Sequence, residues 1–129
     1  MDVVDRLYEA INRRDLDQIL ALCDEDSAWD LSEVSPDQTL YRGHEGIRRY
    51  FAEEIWPIAE EFRFEEREYH DAGDGRVVAL FRLIARGSAS GAAVDAEYSA
   101  LWWVRDGRLA GQKVYPGNDA LTAAGLPAR

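Results

Sequence analysis

The sequence predicts an α+β fold in which helices from the first half of the chain pack against a β-sheet built from the second half. Up to about residue 62, apolar residues recur at three- and four-residue spacing, which is typical of amphipathic helices. From residue 63 onward the spacing changes to two, which is typical of strands, and glycine-containing turns separate the alternating segments. The chain has 129 residues, the length of one domain, so we predict a single domain over residues 1–129.

The first two helices are predicted from their apolar stripes. Residues 2–13 place Val4, Leu7 and Ile11 on one face of a helix. Asp15 is a good N-cap for a second helix, because its side chain can accept a hydrogen bond from a backbone amide of the first turn. The buried stripe of this second helix consists of Leu16, Ile19, Leu20 and Cys23.

A short strand and a third helix follow. The segment "SAWDL" is short and bounded by polar residues, so we expect Trp29 to lie on a short strand, and "SEVSPDQT" has the composition of a loop. Gly43 can start the third helix, which the apolar spacing extends to Phe62. Pro57 falls inside this pattern, so we expect a kink or a break at Trp56. The apolar stripe consists of Ile47, Phe51, Ile55, Ile58 and Phe62.

Four strands and a last helix complete the predicted fold. Alternation predicts strands over residues 63–71, 76–88, 93–104 and 108–116, joined by "AGDG", "SASGA" and "RDG" as hairpin turns. Asn118 or Asp119 can cap a short helix that ends at Gly125.

Two of these strands are apolar on both faces. One face of residues 77–85 is wholly apolar and predicts core or pocket, whereas the opposite face mixes apolar residues with arginine. Trp102 and Trp103 are adjacent and must point to opposite faces. We therefore predict that helices cover the inner face and that a second subunit covers the outer face. The alternative is that the outer residues are scattered surface hydrophobes. The predicted homodimer interface consists of Leu80, Arg82, Ile84, Leu101 and Trp103.

Composition excludes several classes of function. The formal net charge of −10 argues against a nucleic-acid partner, because phosphate binding needs a surplus of lysine and arginine. No apolar run is long enough to cross a membrane, and the acidic start differs from a signal peptide, so we expect a cytoplasmic protein. Cys23 is the one cysteine, and its apolar surroundings predict a buried rather than a nucleophilic role. We expect no metal site, since His44 and His70 are the only histidines and no His-x-x-x-His pair exists; we also expect no cofactor.

Three motifs carry a resemblance to a known family. They are Asn12 with "DLD" at residues 15–17, "YRG" at residues 41–43 before the third helix, and "RDG" at residues 105–107 between the last strands. With these motifs in this order, nearly the whole chain resembles the SnoaL-like branch of the NTF2-like superfamily. The resemblance implies a cone in which a strongly curved sheet wraps the helices and a pocket opens at one end. It does not imply one activity, because this fold hosts both enzymes and binding modules.

The resemblance implies that the inner faces of the strands line the pocket. We expect the ligand to be a small hydrophobic molecule, and each lining aromatic can equally be ordinary core. On the alternation of the strands, the expected pocket residues are Trp29, Leu31, Phe51, Ile55, Trp56, Phe81, Leu83, Tyr98, Trp102, Lys113 and Tyr115.

Candidate catalytic groups are few. In ketosteroid-isomerase-like relatives, three catalytic positions correspond to Leu31, Leu7 and Ala100, so that activity is not implied here. Asp30 is a candidate general base if a bulge turns it inward, and His44 is a candidate proton shuttle near the mouth. The alternatives are an exposed strand carboxylate and a surface histidine.

Tyrosines are the candidate hydrogen-bond donors to a ligand carbonyl, and Lys113 is a candidate partner for an anionic group. Two functions stay open. One is a binding protein that also performs cofactor-free acid–base chemistry, and the other is a non-catalytic dimeric binding or scaffold module. The tyrosines concerned are Tyr8, Tyr98 and Tyr115.

Overall fold

The computed structural model describes residues 2–37 and 39–128, and over these residues it contains a curved six-stranded sheet and four α-helices. Met1, Gln38 and Arg129, which belong to the predicted domain, lie outside the described residues. The predicted α+β class and the cone-like arrangement are confirmed.

Three of the α-helices lie in the first half of the chain, and the fourth follows the last strand. They are α1 (Asp2–Asn12), α2 (Leu16–Leu22), α3 (Gly43–Arg49) and α4 (Asp119–Ala123), and a π-helical turn over Tyr50–Ile55 continues α3. The strands are β1 (Cys23–Asp30), β2 (Leu40–Arg42), β3 (Ala59–Gly73), β4 (Arg76–Gly87), β5 (Ala93–Arg105) and β6 (Arg108–Pro116).

The sheet is mixed, and its strand order is β2-β1-β6-β5-β4-β3. β1 pairs with β6 in parallel, and every other neighbouring pair is antiparallel. The four predicted strands of the second half therefore form consecutive hairpins. The first strand returns to the last one, which places Trp29 opposite Gln112 near the centre of the sheet.

The start of α2 is as predicted, but its end is not. The Gln18 amide donates to Asp15 Oδ1 at 3.1 Å, which confirms Asp15 as the N-cap. Cys23, predicted on the helix stripe, has extended backbone angles and begins β1 instead. β1 is consequently longer than the predicted segment around Trp29.

The break predicted at Trp56 is confirmed, so the third helix does not continue to Phe62 as the apolar spacing indicated. Pro57 lacks an amide hydrogen, so the helix cannot continue, and the last amide of the π-helical turn, that of Trp56, donates to the Phe51 carbonyl at 2.9 Å. Ile58 is 64% exposed, and Phe62 lies buried on β3 rather than on the helix. The short strand β2 before α3 was not predicted, and it pairs Tyr41 with Trp29.

The sheet is covered on both faces by the same chain. Helices α1, α2 and α3 cover the inner face and enclose the larger hydrophobic core. The C-terminal helix α4 packs against part of the outer face and forms a second, smaller core cluster with β4 and β5. This second cluster consists of Val78, Leu80, Leu101, Ala120, Leu121 and Ala124.

Candidate functional site

A cavity of about 300 Å³ lies between the inner face of the sheet, α1 and the π-helical turn. An apolar concave site of this size with few polar groups is typical of small-molecule binding sites. The lining residues are Tyr8, Ile11, Trp29, Leu31, Val34, Ser35, Tyr50, Phe51, Ile55, Phe62, Phe64, Phe81, Leu83, Ala85, Val94, Tyr98, Trp102, Gln112 and Val114.

The cavity has a buried floor and an exposed mouth. Trp102 is completely buried, and Tyr8 and Trp29 are nearly so, which places these aromatic side chains at the floor. Val94, at the start of β5, is 41% exposed and therefore marks the mouth together with the loop that carries Ser35. A ligand would enter past Val94 and meet the tryptophans last.

Aromatic contacts fix the shape of the floor. The indole of Trp29 meets Trp102 edge to face, with ring centroids 5.5 Å apart, and meets Phe51 in the same way at 5.6 Å. Tyr8 packs against Phe81 at 5.3 Å and against Trp102 at 6.0 Å. Aromatic contacts at these distances are favourable, so they stabilise the positions of the side chains that form the floor.

The polar groups of the cavity are neutral. Trp102 Nε1 donates to the Tyr8 hydroxyl at 3.0 Å across the floor. Burial raises the pKa of Tyr8 far above its ordinary value, so this hydroxyl keeps its proton at neutral pH. Burial raises the pKa of Tyr50 in the same way. Gln112 adds an uncharged amide that is 6% exposed.

Most of the expected pocket residues lie at the cavity wall. These are Trp29, Leu31, Phe51, Ile55, Phe81, Leu83, Tyr98 and Trp102. Trp56 lies behind the wall instead, where its ring stacks on Phe51 at 5.1 Å between centroids. It supports the wall without facing the cavity.

The last strand presents the opposite face to the one expected. Lys113 and Tyr115 were predicted to point inward, but Gln112 and Val114 line the cavity, and Tyr115 packs beside the outer cluster. The reason is a register shift: β5 and β6 pair Trp103 with Gly111 but Val104 with Leu109. The extra residue is a β-bulge, and it reverses which residues of the strand face inward.

Asp30 does not reach the cavity. Its carboxylate accepts a hydrogen bond from the Ser32 amide at 2.9 Å and lies 4.0 Å from Lys113 Nζ on the outer side of the sheet. The hydrogen bond from the Ser32 side chain is the main reason that the pKa of Asp30 lies below its ordinary value. The prediction of Asp30 as a pocket base is therefore wrong, because no bulge turns it inward.

His44 is also absent from the cavity wall. Its Nε2 lies 2.9 Å from the Cys23 carbonyl oxygen, so the imidazole holds the start of α3 against the start of β1. Among the described residues that line the cavity, none is a histidine, an aspartate, a glutamate, a lysine or an arginine. The site as built is neutral.

Sequence reasoning missed Tyr50 and Gln112. Tyr50 lies one residue before Phe51, off the predicted apolar stripe, and the π-helical turn rotates it toward the cavity. Gln112 would have been found from the pairing of β6 with β5, because it is the register partner of Trp102. Alternation within β6 alone does not reveal it.

The outer face is divided into three regions. Leu80 and Leu101, predicted to meet a second subunit, are instead buried under α4 of the same chain. Arg82 Nε donates to Asp95 Oδ1 at 2.6 Å, and Ile84 is half-buried beside this polar region as the register partner of Asp95. Only Trp103, of the five predicted interface residues, is a strongly exposed apolar side chain, with 39% of its surface accessible.

The described part of the chain has features of neither a metal site nor a membrane span. Within residues 2–37 and 39–128, no three histidine, cysteine, aspartate or glutamate side chains lie close enough together to hold a metal ion. None of the helices in this part of the chain is both long and apolar enough to span a membrane.

Comparisons with known proteins agree with the geometry. A family model described as "SnoaL-like domain" matches residues 4–112. The comparison with curated protein sequences finds no match. Solved structures with the same fold include TerC co-crystallised with polyporic acid, which has 21% identity and a TM-score of 0.78, with 95% of each chain covered.

Two further structures have the same fold. One is an NTF2-like protein of unknown function from Burkholderia pseudomallei, with 23% identity, a TM-score of 0.78, and coverage of 96% of this chain and 95% of that chain. The other is a proposed polyketide cyclase from Xanthomonas campestris pv. campestris, with 21% identity, a TM-score of 0.77, and coverage of 95% and 93%. At these identities the likeness establishes the fold.

Proposed function

This chain belongs to the SnoaL-like domain family, and we propose that it binds a small, largely apolar molecule in the cavity. The fold of this family serves both enzymes and binding modules, so the cavity rather than the fold indicates the activity. The observation that carries the proposal is the aromatic lining around open space of about 300 Å³. The co-crystallisation of TerC, a protein of this fold, with polyporic acid supports a small-molecule ligand for this chain.

The volume limits the size of the ligand. An engineered apolar cavity of about 150 Å³ holds one benzene molecule. A cavity of about 300 Å³ therefore suits a molecule of two fused rings. The edge-to-face tryptophans at the floor offer flat surfaces to such a molecule, and burial of its rings supplies the binding free energy.

The cavity supports binding better than acid–base catalysis. General acid–base chemistry needs a titratable group within hydrogen-bond reach of the ligand. Among the described lining residues the groups that can ionise are tyrosines, and burial raises the pKa of Tyr8 and Tyr50 well above the neutral range. With Asp30 and His44 outside the cavity, the non-catalytic binding module is the function that the geometry favours.

A blocking substitution tests this proposal. Leu83→Trp places a second ring system inside the cavity, whereas Ile84→Trp adds the same side chain to the opposite face of the same strand. Isothermal titration with 2-naphthol should show binding to the unmodified protein and to Ile84→Trp but not to Leu83→Trp. Equal binding to all three proteins, or binding to none, would overturn the proposal.

We also propose a homodimer that forms through the outer surface around Trp103. This surface, which we call the Trp103 groove, contains exposed Trp103 and Leu40 beside Asp30, Lys113 and Arg105. Because the groove carries both signs of charge, a twofold arrangement can place the acidic side of one copy against the basic side of the other. This surface replaces the larger one that the sequence indicated.

Sedimentation velocity at micromolar concentration tests the dimer. We expect a dimer that Trp103→Glu dissociates and that Ile58→Glu leaves intact, since Ile58 is exposed but does not line the Trp103 groove. A monomeric unmodified protein would refute this assembly.

A further inference from the structure

Gln112 is the one side-chain amide among the described residues that line the cavity. It stands on β6 between its register partners Trp29 on β1 and Trp102 on β5. Because directly paired residues in neighbouring strands point to the same face, all three side chains belong to the cavity side of the sheet. Gln112 is 94% buried, since only 6% of its surface is accessible.

The Gln112 amide makes no side-chain hydrogen bond among the described residues, and it is not one of the fully buried polar atoms that lack a partner. Because Gln112 lines the cavity, its amide contacts the open space there and keeps its donor and its acceptor for an incoming molecule. Ser99 Oγ, on another buried polar side chain, accepts from the Ala120 amide at 3.0 Å, whereas Trp29 Nε1 is a buried donor without a partner among the described residues. The Gln112 amide is therefore available to a molecule in the cavity.

The chemistry of the surroundings decides what that molecule can carry. An amide offers both a donor and an acceptor, so it pairs with a hydroxyl or a carbonyl group. A charged group in the same place would lose its hydration without a counter-charge, because no described lining side chain is a carboxylate, an ammonium or a guanidinium. The hydroxyl of Tyr50, which keeps its proton because burial raises its pKa, offers a second neutral contact.

We infer that Gln112 is the specificity-determining residue of the cavity, and that it selects a neutral two-ring molecule carrying a hydroxyl or a carbonyl over its unsubstituted and anionic analogues. The inference rests on the proposed binding function and adds the ligand class. Trp29 and Trp102 contact the rings of the ligand, and Gln112 forms a hydrogen bond with its oxygen substituent.

Three probes of similar size separate these contributions: naphthalene, 2-naphthol and 2-naphthoate. One net hydrogen bond changes affinity by about 2- to 10-fold, so 2-naphthol should bind more tightly than naphthalene by that factor. Gln112→Leu should reduce this ratio to about 1, because leucine has a similar volume and no hydrogen-bonding group. 2-Naphthoate should bind at least about 10-fold more weakly than 2-naphthol, since its charge is desolvated without compensation.

Val114→Ala is the matched control, because Val114 lies on the same strand and the same face but is apolar. It should weaken both neutral probes equally and leave their ratio unchanged. Urea unfolding of Gln112→Leu checks that the variant is folded, and it should be at least as stable as the unmodified protein. If both neutral probes bind equally well, or Gln112→Leu leaves their ratio unchanged, the inference fails and the binding function stands. Tighter binding of 2-naphthoate likewise overturns the neutral ligand class, and absence of binding by every probe overturns both proposals.

Discussion

Asn12 should stabilise the fold through two hydrogen bonds to the backbone of one residue of the sheet, Phe64. The Phe64 amide donates to Asn12 Oδ1 at 2.8 Å, and Asn12 Nδ2 donates to the Phe64 carbonyl at 3.0 Å. β3 is an edge strand, so this carboxamide at the end of α1 takes the place of a neighbouring strand. It also fixes Phe64, whose ring packs against Tyr8 in the cavity wall.

Two substitutions of Asn12 distinguish the contributions of the two hydrogen bonds. In Asn12→Ala the Phe64 carbonyl keeps a second donor, because Arg67 Nη1 lies 2.8 Å away, but the Phe64 amide loses its partner. Leaving a donor unsatisfied in a partly buried position should cost about 1–3 kcal/mol. Asn12→Asp retains the acceptor for that amide, loses the bond to the carbonyl, and places its second carboxylate oxygen near the carbonyl oxygen, where the Arg67 guanidinium offsets the repulsion. Its added cost is the negative charge at a helix C-terminus, about 0.3–1 kcal/mol.

Urea unfolding followed by tryptophan fluorescence measures both effects. We expect Asn12→Ala to lower the free energy of unfolding by about 2 kcal/mol and Asn12→Asp by about 1 kcal/mol or less, with unchanged denaturant slopes. If the aspartate variant is as unstable as the alanine variant, the orphaned amide is not the cause. A loss below about 0.5 kcal/mol for Asn12→Ala would refute the reasoning altogether.

Three further predictions concern the outer cluster, the cysteine and an exposed ion pair. Leu121→Ala should lower the free energy of unfolding by about 2–3 kcal/mol, because Leu121 is buried against the outer face of the sheet. Thr122 is exposed on the same helix, so Thr122→Ala should have little effect. Equal effects of the two substitutions in urea unfolding would contradict the role of α4. Burial raises the pKa of the Cys23 thiol to about 12, so a disulfide reagent at about pH 8 should label it only after unfolding; rapid labelling of the folded protein would contradict this. Arg105 Nη2 donates to Asp24 Oδ2 at 2.5 Å and holds the pKa of Asp24 below its ordinary value. Because the pKa of Asp24 is lowered in the folded state, the pair stabilises the fold above the unfolded pKa of 3.8, and this stabilisation is lost as the pH falls through the folded pKa. Arg105→Gln should therefore lower the urea midpoint at neutral pH but not at about pH 2. Equal losses at both pH values would count against the pair.

The sequence predicted the structure correctly where a pattern depends only on residues that are close together in the chain. The alternation in β4 and β5 correctly placed Phe81 and Trp102 on the inner face, because the hairpin pairs Phe81 with Tyr98 and Val77 with Trp102. The Asp15 cap was likewise readable, since capping depends on a few neighbouring residues. Local rules of this kind do not require knowledge of the rest of the chain.

Alternation failed where the structure inserts an extra residue. Leu109 faces the core, so strict alternation carries Lys113 and Tyr115 inward as well. The bulge opposite Trp103 and Val104 reverses which side chains of β6 face inward, so Gln112 and Val114 face the cavity. A bulge depends on the partner strand, which periodicity within one segment does not contain.

By itself, then, the sequence determined the α+β class, the order of the helices and hairpins, the family resemblance and the opposite faces of Trp102 and Trp103. Each of these follows from local spacing, capping and turn chemistry. Only the tertiary structure decided that α4 covers Leu80 and Leu101, that Asp30 and His44 lie outside the cavity, and that Gln112 lies within it. Those outcomes depend on contacts between residues distant in the chain, and such contacts are set by strand register and by which helix reaches which face of the sheet.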